Sequence, residues 1–459
     1  MTSAARRRSF GLSGWIRTIA VALVVCLLAG RQILAQQAGG EHWVGTWATA
    51  EVGRPQNPPS PTPPLPPLPG SVAPAPPAQV QQPAPFVHFN NQTLRQIVHT
   101  SIGGARVRVV LSNAFGTVPL TIGAAHIALR EKDSAIAPAS DRALTFSGQP
   151  TIAIPAGAVL FSDPVSLAVP PMGDLAVDLY LPGDTNNPSP LTMHNGARQT
   201  SYVSQTGNHA GTAALPVVAT TQSWFLLSRV EVMAPEPVGA VVTFGDSITD
   251  GSASTPDGNN RWPDQLARRL MAQAGTAKMA VLNAGIGGNR VLTDAFQQQF
   301  QFGINALARF DRQALEQTGV THIIVLEGIN DIGTARLNPM PTAEDIIAGH
   351  KQLVERAHTR GLKIFGATLT PFEGSVNYTQ VGEAKRQAIN QWIRTSRAYD
   401  GVVDFDAATR DPNNPARLLP QFDSGDRLHP SDAGYQAMAN AIDLELFKGA
   451  QAIRRVTVR

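Results

Sequence analysis

Val241-Val242-Thr243-Phe244-Gly245-Asp246-Ser247-Ile248-Thr249 decides how the second half of this chain is read. Residues 241–244 are a short apolar run suited to a buried strand, and Gly-Asp-Ser follows at once as a break. Downstream the same texture repeats. Residues 262–274 have helical spacing, with Leu266 and Leu270 on one face, and 279–282 read as a strand. Residues 304–315, with Leu307 and Phe310, predict a helix, and 323–326 a strand. Helices over 343–360, 383–396 and 431–447 alternate with strands at 363–369 and 402–405. Strands alternating with helices predict a parallel, doubly wound α/β sheet over residues 238–450.

In such sheets ligands bind at the carboxyl ends of the strands, so the segments that follow each strand carry the chemistry. They read Gly245-Asp246-Ser247, then Asn283-Ala284-Gly285-Ile286-Gly287-Gly288-Asn289-Arg290, then Glu327-Gly328-Ile329-Asn330-Asp331. Asp426-Arg427-Leu428-His429 precedes the last helix, where Pro430 suits the first position. These are the residue types that acyl transfer needs. A serine hydroxyl is a weak nucleophile and requires an adjacent base, for which His429 is the candidate. A carboxylate must orient the imidazole and stabilise imidazolium, and Asp426 stands three residues away. The oxyanion needs preorganised donors: the backbone N–H of Ser247, that of Gly288 or its neighbour Gly287, and the side-chain amide of Asn330.

Each motif alone is weak, since Gly-Asp and Asn-Asp also mark ordinary turns. Four of them in order, each at a strand end or before the last helix, make the signal. Other candidates read differently. His322 opens an apolar strand and is expected in the core or at an edge. His350 and His358 share a predicted helix without a His-Glu-x-x-His frame, so no metal is expected. Asp404, Asp406 and Asp411 miss the calcium-loop pattern and are expected on the solvated surface. Glu327 and Arg290 flank motif residues and either shape the pocket or pair with charges. No Gly-x-Ser-x-Gly elbow, phosphate loop or dinucleotide fingerprint is present.

On these four blocks the sequence resembles the SGNH, or GDSL-type, hydrolase superfamily. The resemblance implies a flavodoxin-like, three-layer α/β/α fold with no metal or cofactor. It implies Ser247 as nucleophile, Asp426 and His429 as the rest of the triad, and Ser247, Gly288 and Asn330 as oxyanion donors. Ile248 stands where the GDSL name has leucine.

Upstream the texture is β. Across 94–232, short alternating runs such as Leu175-Ala176-Val177-Asp178-Leu179, expected to be half-buried, are punctuated by turns at Gly103-Gly104 and Asn195-Gly196. A β-rich domain over 86–234 is predicted, of sandwich or jelly-roll type. Its start, 36–53, is separated from it by a proline-crowded loop or insertion over 54–85. Trp43-Val44-Gly45-Thr46-Trp47-Ala48 and Asn91-Gln92-Thr93-Leu94-Arg95-Gln96 are similar to the N-terminal part of bacterial GDSL-type esterases, the aryl-esterase and xylan-acylhydrolase branch.

At the N-terminus Arg6, Arg7, Arg8 and Arg17 precede the apolar run 19–29, and Ile33-Leu34-Ala35 offers a cleavage site. That is the layout of a signal peptide over 1–35, shorter than a membrane span, with an uncleaved anchor as the alternative. Arg7-Arg8-Ser9-Phe10 leaves twin-arginine export open beside the general route. Removing the five arginines of this leader turns the formal net charge of +3 into −2, which points away from nucleic acid. The only cysteine, Cys26, lies in the leader, so the mature chain has neither disulfides nor a cysteine nucleophile.

The expectation is an exported serine esterase, periplasmic or secreted, acting on small-molecule or polysaccharide esters. Short acyl groups such as acetyl come first, aryl or lipid esters second. A surface carbohydrate-binding protein with an inactive hydrolase scaffold is the rival from another class.

Overall fold

The computed structural model describes residues 40–55, 88–273, 279–333 and 339–448. The leader and nearly all of the proline-crowded stretch lie outside these residues.

The second half builds a five-stranded parallel sheet in the spatial order Ala280–Gly285, Ala240–Gly245, Val320–Leu326, Lys363–Ala367, Gly401–Val403. In chain order this is 2-1-3-4-5, a doubly wound order whose switch point lies beside the first strand. Val241, Val242, Phe244, Ile323, Ile324 and Val325 are all fully buried, as a parallel sheet covered by helices requires. The helices begin where the sequence supplies caps. Thr342 and Asp345 form a capping box for Ala343–Thr359, Thr379 caps Gln380–Thr395, and Ser431 caps Asp432–Asn440.

Two predicted helices are shorter than the spacing suggested. The segment over 304–315 is a helix only for Ala306–Phe310 and continues as a wider π-type turn. The segment over 431–447 stops at Asn440 and resumes as a 3₁₀ turn, Leu444–Phe447, capped by Asp443. There the Arg269 guanidinium takes the carbonyls of Ala439 and Ile442. Of the acidic cluster, Asp411 lies at an exposed turn and accepts the Asn413 N–H at 2.9 Å, but Asp404 and Asp406 are held by arginines rather than by solvent. Asp406 is buried between Arg386 and Arg394, at 2.7 and 2.6 Å, and Asp404 pairs with Arg394 while capping its own short helix. Two arginines projecting from one helix make burial of these carboxylates tolerable.

The first half is antiparallel. One five-stranded sheet runs Glu41–Ala48, Leu227–Pro235, Gly104–Ser112, Val159–Phe161, with Val165–Val169 beside the third. A seven-stranded sheet is centred on Gln92–His99, Asp174–Leu181 and Ala124–Lys132. The strand Asp174–Leu181 is not half-buried as its alternation suggested. Leu175, Val177 and Leu179 enter the main core, while Ala176 packs with Ile97, Ile136 and Leu215 on the other face. Asp178 on that second face is buried because Arg95 meets it with two bonds, at 2.7 and 2.6 Å.

The two halves share one continuous apolar core, reaching from Val44 to Phe447. Polar contacts cross the same boundary. Gly45 N–H reaches the Thr318 carbonyl at 2.9 Å, Val281 N–H the Ser101 hydroxyl at 3.1 Å, and the Gln313 side chain the Glu51 carbonyl at 2.9 Å. No helix among the described residues is long and apolar enough to cross a membrane.

Candidate active site

The strand Ala240–Gly245 runs directly into Asp246 and a one-turn helix, Ser247–Asp250. Asp246 caps that turn by accepting the Ile248 N–H at 2.9 Å. The turn closes on itself, since Gly251 and Ser252 N–H both return to the Ser247 carbonyl at 2.9 Å. It lies against the end of the adjacent strand at Gly285, where a Cβ would run into the Asp250 backbone. Ser247 is thereby held at the carboxyl edge of the sheet with little freedom of backbone.

His429 arrives from the far end of the chain on a loop organised by two carboxylates. Asp423 accepts the N–H groups of Gly425 and Arg427 at 2.8 and 3.0 Å. Asp426 Oδ1 accepts those of Leu428 and His429 at 2.9 and 2.8 Å. Arg427 between them takes a left-handed φ of 66°, a conformation a non-glycine residue keeps only when its surroundings dictate it. The loop delivers an unbroken chain of contacts. Asp426 Oδ2 lies 2.5 Å from His429 Nδ1, and His429 Nε2 lies 2.9 Å from Ser247 Oγ. Burial alone would raise the Asp426 carboxyl, but the His429 ring and the backbone N–H groups of His429 and Leu428 outweigh it and hold it at about 2. A carboxylate so held stays ionised through the working range, fixes the Nδ1–H tautomer of the ring, and leaves Nε2 to accept the serine proton.

The second and third blocks are tied to each other. Asn330 is the second residue of the turn Ile329–Gly333 after the strand Val320–Leu326, and its amide donates to the Asn289 carbonyl at 2.9 Å. Asp331 accepts the N–H groups of Val291 and Leu292 at 2.8 and 3.2 Å. Of the two neighbouring glycines, 288 is the one that must be glycine. It has φ of 73°, and a Cβ there would land in the Phe302 ring, whereas at Gly287 the nearest atom, Asp250 Oδ2, would be 3.9 Å away. Phe302 fills the space beside it.

Beneath these loops lies a residue that reading the sequence missed. Arg309 is buried and reaches the Gly245 and Ala284 carbonyls, each at 2.7 Å, the Asn289 amide oxygen at 2.7 Å, and Glu327 at 3.0 Å. It therefore joins the ends of three strands. Its surroundings are rich in acid. Burial pushes Asp246 up to about 7 and Asp331 to about 6, and raises Glu327 well above the usual carboxylate range. Burial likewise lowers the Arg309 guanidinium to about 10. Glu327 thus pairs with charge rather than lining the cleft. Arg290 is also buried, donating to the Asp294 carbonyl at 2.9 Å and lying over the Phe296 ring. A lone arginine in a short amphipathic segment gave no sign of this role.

The other histidines sit elsewhere. His322 is buried and stacks on Phe365. His350 bonds Tyr399 Oη at 2.6 Å, and His358 pairs with Asp400 at 2.9 Å.

Residues 243–437 match the model of the GDSL-like Lipase/Acylhydrolase family. Comparison with curated protein sequences finds no match. Among solved structures, the chain is similar to a protein described as lipolytic and of the G-D-S-L family from Desulfitobacterium hafniense DCB-2, at 23% identity, 44% of this chain, 96% of that one and a TM-score of 0.33. The aryl esterase of M. smegmatis is similar at 18% identity, 44% and 95% coverage and a TM-score of 0.35. A carbohydrate acetylesterase from Sinorhizobium meliloti is similar at 14% identity, 44% and 95% coverage and a TM-score of 0.35. Residues 243–437, which contain the Ser247–His429–Asp426 contacts, are a domain of the GDSL-like lipase/acylhydrolase family, and the chain is a carboxylic ester hydrolase.

Proposed function

We propose that Ser247 attacks the ester carbonyl while His429 takes its proton, and that Asp426 orients the ring. The carrying observation is the chain of contacts from Ser247 Oγ to His429 and Asp426, at 2.9 and 2.5 Å. The tetrahedral oxyanion is stabilised by the N–H of Ser247, the N–H of Gly288 and the Asn330 amide. His429 then protonates the leaving alcohol, and a water activated by the same ring releases the acid. No metal or cofactor takes part in this reading.

The favoured substrates are short-chain acyl esters, acetyl first, on a polar alcohol such as an extracellular polysaccharide. Support comes from the flank of His429, where the Asp426 and Arg427 side chains are 44% and 48% exposed, a polar rim better suited to a sugar than to a lipid. The β-rich first half, read as jelly-roll-like and as the N-terminal part of the same esterase branch, supports the polysaccharide assignment by its proximity. The protein acts outside the cytoplasm after removal of residues 1–35. N-terminal sequencing of the exported protein checks this, with Gln36 expected first.

The decisive test is hydrolysis of p-nitrophenyl acetate, butyrate and octanoate by the full chain and by Ser247→Ala. Ser247→Ala is expected to lower kcat by roughly 10⁴- to 10⁶-fold with the fold intact. Wild-type rates are expected to fall with acyl length. A variant as active as wild type removes Ser247 from its role, and a preference for octanoate replaces acetyl esters by lipid esters.

A further inference from the structure

The β-rich half meets the nucleophile turn at a buried contact. His194, on the strand Leu191–Asn195, places Nε2 3.0 Å from Asp250 Oδ1, and Asp250 is the last residue of the turn that Ser247 begins. The other ring nitrogen, Nδ1, lies 2.6 Å from the Ala50 carbonyl. Both side chains are buried, at 3% and 7% exposure, and Trp224 packs against the imidazole.

Hydrogen counting gives this contact a chemical content. A backbone carbonyl only accepts, so Nδ1 must carry a proton to lie 2.6 Å from one. An ionised carboxylate also only accepts. A neutral imidazole has a single N–H, already spent on Ala50. The 3.0 Å contact with Asp250 therefore requires one more proton, either on Nε2 as an imidazolium–carboxylate pair or on Asp250. Without it two acceptors face each other in a buried site, and the contact opens.

Resting on the reading of Ser247 as nucleophile, we propose that His194 is a positioning residue, and that the proton it shares with Asp250 locks the β-rich half onto the nucleophile turn. Asp250 is well placed to transmit this. Its backbone packs on Gly285, and its Oδ2 faces Gly287, beside the proposed oxyanion donor. Removing the contact releases the turn and lowers kcat more than it alters KM.

Other groups face the pair. Glu51, on the segment beside Ala50, interacts with His194, and Arg198, Arg309 and Tyr435 interact with Asp250. Asp246 heads the same turn and Glu327 lies below it. These groups are untouched when Asp250 is changed, and this selects the test.

The variant is Asp250→Asn, whose amide N–H donates to a neutral His194 Nε2 and replaces the shared proton by a permanent one. The measurement is kcat and KM on p-nitrophenyl acetate at a single pH, at a temperature well below unfolding. His194→Ala, Asp250→Ala and Ser247→Ala are run alongside, with circular dichroism to check folding. His194→Ala and Asp250→Ala are expected to lose kcat by about ten- to a hundredfold with KM nearly unchanged, the scale of a small misplacement of a reacting group. Asp250→Asn is expected to lose distinctly less. A wild-type kcat in folded His194→Ala overturns the proposal, as does an equal fall in Asp250→Ala and Asp250→Asn. An active Ser247→Ala fails the nucleophile reading instead. If His194→Ala does not fold, the comparison of Asp250→Ala with Asp250→Asn still decides.

Discussion

Arg95 in the β-rich half and Arg309 in the α/β half are both buried, and both meet a carboxylate in a sheet. Arg95 is balanced: Asp178 holds it with two bonds, and the Ser134 and Thr212 carbonyls take further N–H groups at 2.6 and 2.8 Å. Arg309 is outnumbered. It pairs with Glu327, but Asp246 and Asp331 stand nearby, and all three carboxyls are raised by burial. One site is a closed structural pair. The other is a cross-link under three catalytic loops, with more acid than its guanidinium neutralises. The contrast teaches that a buried ion pair is not a single kind of object. Its meaning depends on whether the local charges sum to zero and on what the arginine's remaining N–H groups hold.

Removing each arginine breaks that comparison most sharply. Arg95→Met leaves Asp178 buried and unpaired, and is expected to cost about 3–5 kcal/mol of stability, while kcat of the folded protein stays at the wild-type value. Arg309→Met takes away the tie between Gly245, Ala284 and Asn289 and is expected to lower kcat roughly a hundredfold, in addition to destabilising. Denaturant unfolding and p-nitrophenyl acetate kinetics on the two variants separate these effects. Equal loss of kcat in both would show that the Arg309 cross-link has no special hold on the site.

Gly288 is the next lever on the α/β side. Alanine there meets both the left-handed φ and the Phe302 ring. Gly288→Ala is therefore expected to lose about ten- to a hundredfold in kcat, and Gly287→Ala, which meets only Asp250 Oδ2 at 3.9 Å, distinctly less. A larger loss at Gly287 would move the oxyanion assignment to its N–H.

The same contrast explains what the sequence could tell. The contacts among Ser247, Asp426 and His429 were legible because motif chemistry is local: Asp426 and His429 are three residues apart just before the last helix, and the Ser247 block follows a strand with a clear apolar run. Arg309 was not, because its partners lie on three segments that only the fold brings together, and a charged residue on a short helix looks solvated by default. Asp406 misled for the same reason, its arginines lying 12 and 20 residues upstream on a neighbouring helix. The strand Asp174–Leu181 misled because alternation reports side-chain polarity, and Asp178 is polar yet buried opposite Arg95. His194 carried no sequence signal, since its partner Asp250 belongs to the other half.

The smallest expected effect tests the charge imbalance directly. Asp246 is raised from 3.8 to about 7 and Glu327 is raised well above 4.5, and Asp246 Oδ2 and Glu327 Oε2 are buried without a hydrogen-bond partner. A carboxyl whose folded value lies above its unfolded one stabilises the fold when protonated. That contribution is complete below the unfolded value and is lost as pH rises through the folded one. The thermal midpoint of wild type is therefore expected to decline as pH rises through about 7. Glu327→Gln keeps an oxygen to accept from Arg309 and removes a carboxylate beside Asp246. Its midpoint is expected to decline less over the same range, because Asp246 then ionises without a like charge against it. Arg95→Met lies far from this cluster and should leave the slope of that decline as in wild type. Parallel curves for wild type and Glu327→Gln would mean that the acid around Arg309 is neutralised by some other route, and that the two buried arginines differ only in what their N–H groups bind.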